Sequence, residues 1–317
     1  MASRRVCLLG ALFAVLSVAI EGHSASSEAS VASKARRQLK EEPNPNDGYD
    51  YMQHGFDWPG LQEGGTTKYP ACSGSNQSPI DINTNQLMEP SSRSGTSAVS
   101  LNGLNVDGAQ ADGITLTNAK VDLEQGMKVT FDQPAANLPT IEIGGTTKSF
   151  VPIQFHFHHF LSEHTINGIH YPLELHIVMQ EQDPADVATA QLAVIGIMYK
   201  YSENGDAFLN SLQTQIEGKI GDGTASYGDT GVSIDNINVK TQLLPSSLKY
   251  AGYDGSLTTP GCDERVKWHV FTTPREVTRE QMKLFVDVTM GAHAGADVVN
   301  NRMIQDLGDR EVYKYNY

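Results

Sequence analysis

Apolar and polar residues alternate along most of this chain in short runs separated by turn residues. The runs read SAVSLNGLNVDG from Ser97, GITLTNAKV from Gly113, KVTFDQP from Lys128, TIEIGG from Thr140, QLAVIGIMYK from Gln191 and VKWHVFTTP from Val266. A period of two with Gly, Asn and Pro between the runs predicts a β-rich protein. Helical periodicity is scarce. Thr278-Arg279-Glu280-Gln281 has the form of a capping box ahead of Met282, Leu284, Phe285 and Val286. A second helix is predicted around residues 207–216, with Phe208, Leu209, Leu212 and Ile216 on one face. The Gly-rich stretch 217–231 reads as a surface loop. No internal repeat or compositional break divides the core.

One alternating run carries chemistry. In Gln154-Phe155-His156-Phe157-His158, two histidines stand at i and i+2, and a third stands in Glu174-Leu175-His176. Side chains two apart on a strand point the same way. A histidine on a neighbouring strand therefore supplies a third leg of a tetrahedron, the donor set of a catalytic zinc with an open fourth position. Histidines in strands are more often hydrogen-bonded structural residues. Here both strands also carry a polar residue, Gln154 or Glu174, two positions before a histidine, placed to hold the far ring nitrogen of a ligand. The intervening Ile153, Phe155, Phe157 and Leu173, Leu175, Ile177 are apolar and are expected to face a core.

Composition narrows the picture. The 317 residues include 39% hydrophobic positions, enough for one large β domain or two smaller ones. Lys and Arg number 23 against 37 Asp and Glu, a net charge of −14, and no basic stripe suggests a nucleic-acid partner. Arg4-Arg5 followed by an apolar run from Val6 to Ile20 and by Gly22-His23-Ser24-Ala25 reads as a signal peptide over residues 1–24, with an uncleaved anchor as the alternative. Residues 25–45, rich in Ser and Ala, read as a linker, a propeptide or the second half of a bipartite signal to an organelle lumen. The expected destination is the secretory pathway, with no membrane span in the mature chain and no apolar tail for a lipid anchor. Cys7 lies in the signal, leaving Cys72 and Cys262 as an even pair in a chain bound for an oxidising compartment. The sequon Asn76-Gln77-Ser78 precedes Pro79 and is expected to be unused.

From about Tyr49 to Val312 the chain resembles the α-class carbonic anhydrases of the secreted type. The resemblance rests on PIQFHFHHFLSEHTINGIHYPLELHIV (152–178) and LLPSSLKYAGYDGSLTTPGC (243–262), flanked by NQSPIDI (76–82), AVIGIMYK (193–200) and NNRMIQDLGDREV (300–312). It implies a catalytic domain over 46–317: a large twisted, mostly antiparallel sheet with a few short peripheral helices and a metal at the bottom of a central cone. It implies Zn²⁺ on His156, His158 and His176, supported by Gln154, Glu174 and the carbonyl of Asn300. Zinc hydroxide would attack carbon dioxide, its proton accepted by Thr258, whose hydroxyl in turn donates to Glu163. Thr259 would contact bicarbonate, and Val178, Val194, Leu257 and Trp268 would form the apolar wall for carbon dioxide. Sulfonamides and small anions would inhibit. The resemblance also implies a Cys72–Cys262 disulfide and structural roles for Ser78, Arg302 and His164, the last beside Glu163.

Two departures stand out. The turn before Glu163 reads His159-Phe160-Leu161-Ser162, unusual for the family. The usual proton-shuttle histidine is replaced by Gln125, and no histidine lies between His54 and His156. The shuttle is therefore unassigned, with His54 and His159 as the candidates for a place at the rim. Competing functions are a catalytically silent zinc-binding matrix or storage protein on the same fold, and a zinc hydrolase acting on esters. Silent relatives typically lose a zinc histidine, and all three are present. Oligomeric state is not legible.

Overall fold

The alternating runs pair into a 12-stranded sheet in this computed structural model, which describes residues 48–90, 99–100, 113–132, 140–143, 146–292 and 299–316. The site depends on eight of its strands: β1 Thr115–Val121, β2 Val129–Asp132, β3 Thr146–His159, β4 Leu173–Glu181, β5 Leu192–Tyr201, β6 Tyr250–Gly255, β7 Val266–Val277 and β8 Tyr313–Tyr315. Across the sheet they run β1-β2-β3-β4-β5-β7-β6-β8. Neighbours on that path are antiparallel except β5 and β7, which are parallel. The sheet is thus mostly antiparallel, as expected, with one parallel pair on that path. The signal and linker segments lie outside the described residues, as does most of the run from Ser97. No helix among the described residues is long and apolar enough to cross a membrane.

The two faces of the central strands differ in chemistry. Phe155, Phe157, Leu173, Leu175, Ile177, Ile195 and Ile197 are buried in one large apolar cluster. Two helices, α1 (Ala207–Gly221) and α2 (Arg279–Ala292), cover that face. Phe208 of α1 meets Phe155 edge-on at 6.1 Å, and Phe285 of α2 meets Phe157 at 5.0 Å. Fully burying one such aromatic ring contributes about 1.5–3 kcal/mol. The opposite face gathers the histidines above a smaller cluster that includes Val178, Val194 and Trp268.

Ile153 departs from the expected alternation. Val178 pairs with Gln154 but Met179 pairs with Pro152, so Ile153 is the extra residue of a β-bulge. It therefore packs with Val178 and Val194 on the site face, not with Phe155 and Phe157.

Both helices start where local chemistry dictates. Thr278 Oγ1 accepts the amide of Gln281 at 3.0 Å, and Gln281 Oε1 accepts the amide of Thr278 at 3.1 Å, the reciprocal capping box. Asp206 caps α1 by accepting the Leu209 amide at 3.0 Å. The predicted loop 217–231 is shorter than expected, because α1 continues to Gly221. Ile220 extends the apolar stripe of Ile216 onto the core, and Gly218 and Gly221 face open space. Gly218, inside the helix, costs it about 1 kcal/mol against alanine, which burial of that stripe offsets.

Cys72 and Cys262 form a disulfide across 190 residues of sequence, and both are buried with Tyr51 and Trp58. Chain-entropy arguments give a loop this long roughly 4–5 kcal/mol of stabilisation at most. Replacing Cys262 by serine is expected to lower unfolding free energy by up to that amount. Denaturant titration of Cys262→Ser giving the parent midpoint would contradict it.

Candidate metal centre

Register brings the three histidines together. On the β3–β4 ladder His156 stands opposite His176, His158 opposite Glu174, and Gln154 opposite Val178. The imidazole centroids are 4.6–5.3 Å apart. Their ligand nitrogens lie within 4.8 Å of one another.

The outward nitrogen of each ring meets an oxygen. His156 Nδ1 is 2.9 Å from Gln154 Oε1. His158 Nδ1 is 2.6 Å from the carbonyl of Asn300. His176 Nε2 is 2.8 Å from Glu174 Oε1. All three partners accept, so each outward nitrogen carries the proton and each inward nitrogen presents a lone pair. Burial holds His156 down to about 3, holds His158 well below the ordinary imidazole value, and lowers His176. The rings are therefore neutral near pH 7. His156 Nε2 and His158 Nε2 sit 3.1 Å apart, too close for two facing lone pairs without a cation between them. A tetrahedral zinc with Zn–N of about 2.05 Å needs N–N edges of about 3.3 Å. The donor set fits zinc.

A layer of hydrogen bonds behind the rings fixes them. Glu174 Oε1 also takes His164 Nδ1 at 2.8 Å, and Glu174 Oε2 takes the His164 amide at 2.9 Å. Burial works against this charge, but His164 and His176 together hold the carboxyl well below the usual carboxylate range. Gly196 lies opposite His176, and a methyl group there would come within 3.1 Å of Glu174 Oε1. His164 Nε2 is 2.7 Å from the Tyr253 hydroxyl, itself 2.9 Å from Ser78 Oγ. His164, buried next to Glu163 in the chain, thus ties Glu174 to Tyr253.

Glu163 is fully buried. Its Oε1 accepts the Arg302 amide at 2.8 Å, while Oε2 lies 3.3 Å from His158 Nε2 with no ordinary hydrogen bond. Burial pushes this carboxyl well above the usual range, against the pull of the Arg302 amide and the Thr258 hydroxyl.

The three histidines line a cavity of about 350 Å³. Val178, Val194, Leu257 and Trp268 line it together with Thr258 and Thr259, and Gln154 and Asn300 also reach its wall. Gln125 lines it too and donates its amide to the carbonyl of Val299 at 2.9 Å. Among the described lining residues the only histidines are these three.

Neither rim candidate reaches the cavity wall. His54 turns its Nδ1 to the carbonyl of Asn301 at 3.1 Å. His159 follows His158 by one residue, so its side chain leaves on the helix side. It is buried there with Nε2 3.0 Å from Thr289 Oγ1, and burial lowers its pKa to about 4. Sequence reasoning missed Tyr49, Tyr51, Asp122, Glu124 and Lys128, which also line the cavity. One of these was within reach. Thr130 pairs with Gln154, so Lys128, two residues earlier, shares the face of the histidines. It forms an ion pair with Asp122 at 3.3 Å.

Comparison with known proteins places this geometry in a family. The sequence model of the eukaryotic-type carbonic anhydrases matches residues 57–316. A carbonic anhydrase of Dunaliella salina is 50% identical over 288 residues, covering 89% of this chain, which spans about half (47%) of that relative's length. An α-carbonic anhydrase from Thermovibrio ammonificans, solved with the inhibitor sulfanilamide, superposes with a TM-score of 0.55 at 27% identity, covering 84% of this chain and 97% of its own. Dioscorin complexed with ascorbate shares the fold, with a TM-score of 0.63 at 20% identity over 85% of this chain and 98% of its own. A histidine triad on facing strands, its hydrogen-bonded backing and a family match over most of the described residues lead to one statement: this chain belongs to the eukaryotic-type carbonic anhydrase family.

Proposed function

We propose that this chain reversibly hydrates carbon dioxide to bicarbonate and a proton, with Zn²⁺ held by His156, His158 and His176. The observation that carries the reading is the set of three inward lone pairs, each fixed by an acceptor on the far side of its ring. When bound, zinc supplies a Lewis acid that makes water nucleophilic near neutral pH, and a positive charge that favours the ionised form of Glu163. An ionised Glu163 can only accept, so the Thr258 hydroxyl donates to it and its oxygen is left to accept from the attacking water. That fixes which lone pair of the water faces the substrate. Val178, Val194, Leu257 and Trp268 offer an apolar wall for a neutral, apolar substrate, and Thr259 a donor for the bicarbonate formed.

The catalytic domain is assigned to 46–317, with residues 1–24 as a signal peptide and 25–45 as a linker or further targeting segment. A buried disulfide suits the secretory pathway or an organelle lumen.

Purified protein carrying one zinc per chain, hydrating carbon dioxide and blocked by a sulfonamide would support this reading. Zinc without hydration would instead indicate a matrix or storage role, and ester hydrolysis alone a hydrolase.

Proton export sets the expected rate. Each turnover releases a proton, and the amide of Gln125 cannot carry it. An acid of pKa about 7 loses its proton to water at only on the order of 10³–10⁴ s⁻¹. kcat is therefore expected to rise with buffer concentration, with kcat/KM little affected, and Gln125→His to raise kcat at low buffer. A fast kcat indifferent to buffer would refute this.

A further inference from the structure

The segment 300–302 touches the site at two points. The carbonyl of Asn300 accepts from His158, and the amide of Arg302 donates to Glu163. The Asn300 side chain grips β3 on both sides of His158: its Oδ1 accepts the His159 amide at 3.1 Å and its Nδ2 donates to the Phe157 carbonyl at 2.8 Å. The Arg302 side chain points elsewhere. Its Nη1 donates to Gln77 Oε1 at 2.8 Å and to the Ser78 carbonyl at 2.9 Å, and its Nη2 to the Cys72 carbonyl at 3.3 Å. The guanidinium lies over the Trp58 ring at 5.4 Å, and the residue is 1% exposed.

These three acceptors are neutral groups. Burying a charge is costly even with the Glu163 carboxyl near enough to favour it, and none of the direct acceptors is charged. A function in holding something in place accounts for the choice. What it holds is tied to the cross-link. Cys72 is bonded to Cys262, whose amide donates to the Thr259 carbonyl at 2.9 Å. The loop carrying Thr258 and the segment carrying the Glu163 donor thus share one anchor.

We propose that Arg302 is a positioning residue: by fastening segment 300–302 to the Cys72–Cys262 cross-link, it sets where Glu163 and His158 stand relative to Thr258. The part played by Glu163 rests on the function proposed above.

The test uses holoprotein carrying Arg302→Met, Arg302→Lys or Gln77→Leu, each in the parent and the Thr258→Ala background. Zinc release to a chelator and kcat/KM per zinc-loaded chain are measured beside thermal unfolding. Arg302→Met is expected to speed zinc release and to lower kcat/KM, each by about 10–100-fold, the range seen when the partners of metal ligands are removed. Arg302→Lys should recover part of both. In the Thr258→Ala background the further loss of kcat/KM should shrink to under about threefold, because both residues act through Glu163. Should Arg302→Met not fold, Gln77→Leu, which removes one acceptor of the guanidinium, is expected to show the same pattern at a few-fold. Unchanged zinc release, or losses that multiply fully in the double variants, overturns the proposal even if the melting temperature falls. A parent protein that does not hydrate carbon dioxide overturns the functional reading instead, and zinc release still reports on Arg302.

Discussion

His176→Ala is expected to lose most of its zinc and essentially all hydration of carbon dioxide. The residue is 1% exposed and stands opposite His156 on the β3–β4 ladder, and its loss leaves two of the three imidazoles. Removing a group that merely orients a ligand costs about 10–100-fold in affinity, and removing the ligand itself should exceed that, to more than about 10³-fold. The damage is not confined to the metal. Glu174 Oε1 loses one of its two imidazole donors, and a void opens against Trp268, whose ring is 4.9 Å from that of His176. The prediction is checked by metal analysis of the purified variant with hydration measured by stopped flow. Full zinc occupancy in the variant would remove His176 from the ligand set.

Thr258→Ala should behave differently: zinc stays and the rate falls. The three imidazoles and their acceptors do not involve Thr258, so metal content should match the parent. On the proposed mechanism, what is lost is the hydroxyl between the buried Glu163 carboxylate and the attacking water. Deleting one oriented hydrogen-bonding group of this kind costs about 10²–10³-fold, some 3–4 kcal/mol of transition-state stabilisation. Thr258→Ser keeps the hydroxyl and should retain most of the rate. The contrast between loss of metal in one variant and loss of rate in the other separates holding from aiming. Unchanged kcat/KM in Thr258→Ala would show that aiming is done elsewhere.

Much of the fold was legible because period-two alternation is a local property of sequence. The three histidines were legible for the same reason: i, i+2 spacing fixes a shared face before any pairing is known. The capping box at Thr278 was likewise local. What stayed hidden depends on partners distant in sequence. The place of Ile153 is decided by which residue of β4 pairs with Pro152, and the end of α1 by the core available to Ile220. Tyr49 and Tyr51 reach the cavity from a segment without alternation, packed edge-on around Trp58. Arg302 resembles any other arginine until its burial and its three uncharged acceptors are seen. His159 misled because adjacency in sequence suggests adjacency in space, whereas on a strand the next residue lies on the far side of the sheet.

The bulge at Ile153 divides β3 into two stretches that answer to different rules. Downstream of it, from Gln154 to His158, one residue inserted or deleted ahead of His156 would turn both histidines of β3 from the cavity into the helix-covered core. Upstream, the mispairing at Ile153 already absorbs one residue. Deleting it would leave Pro152 opposite Met179 and Gln154 opposite Val178, a regular ladder with the histidines unmoved. Length changes among descendants of this sequence should therefore accumulate before residue 153, and the five residues after it should drift by substitution alone.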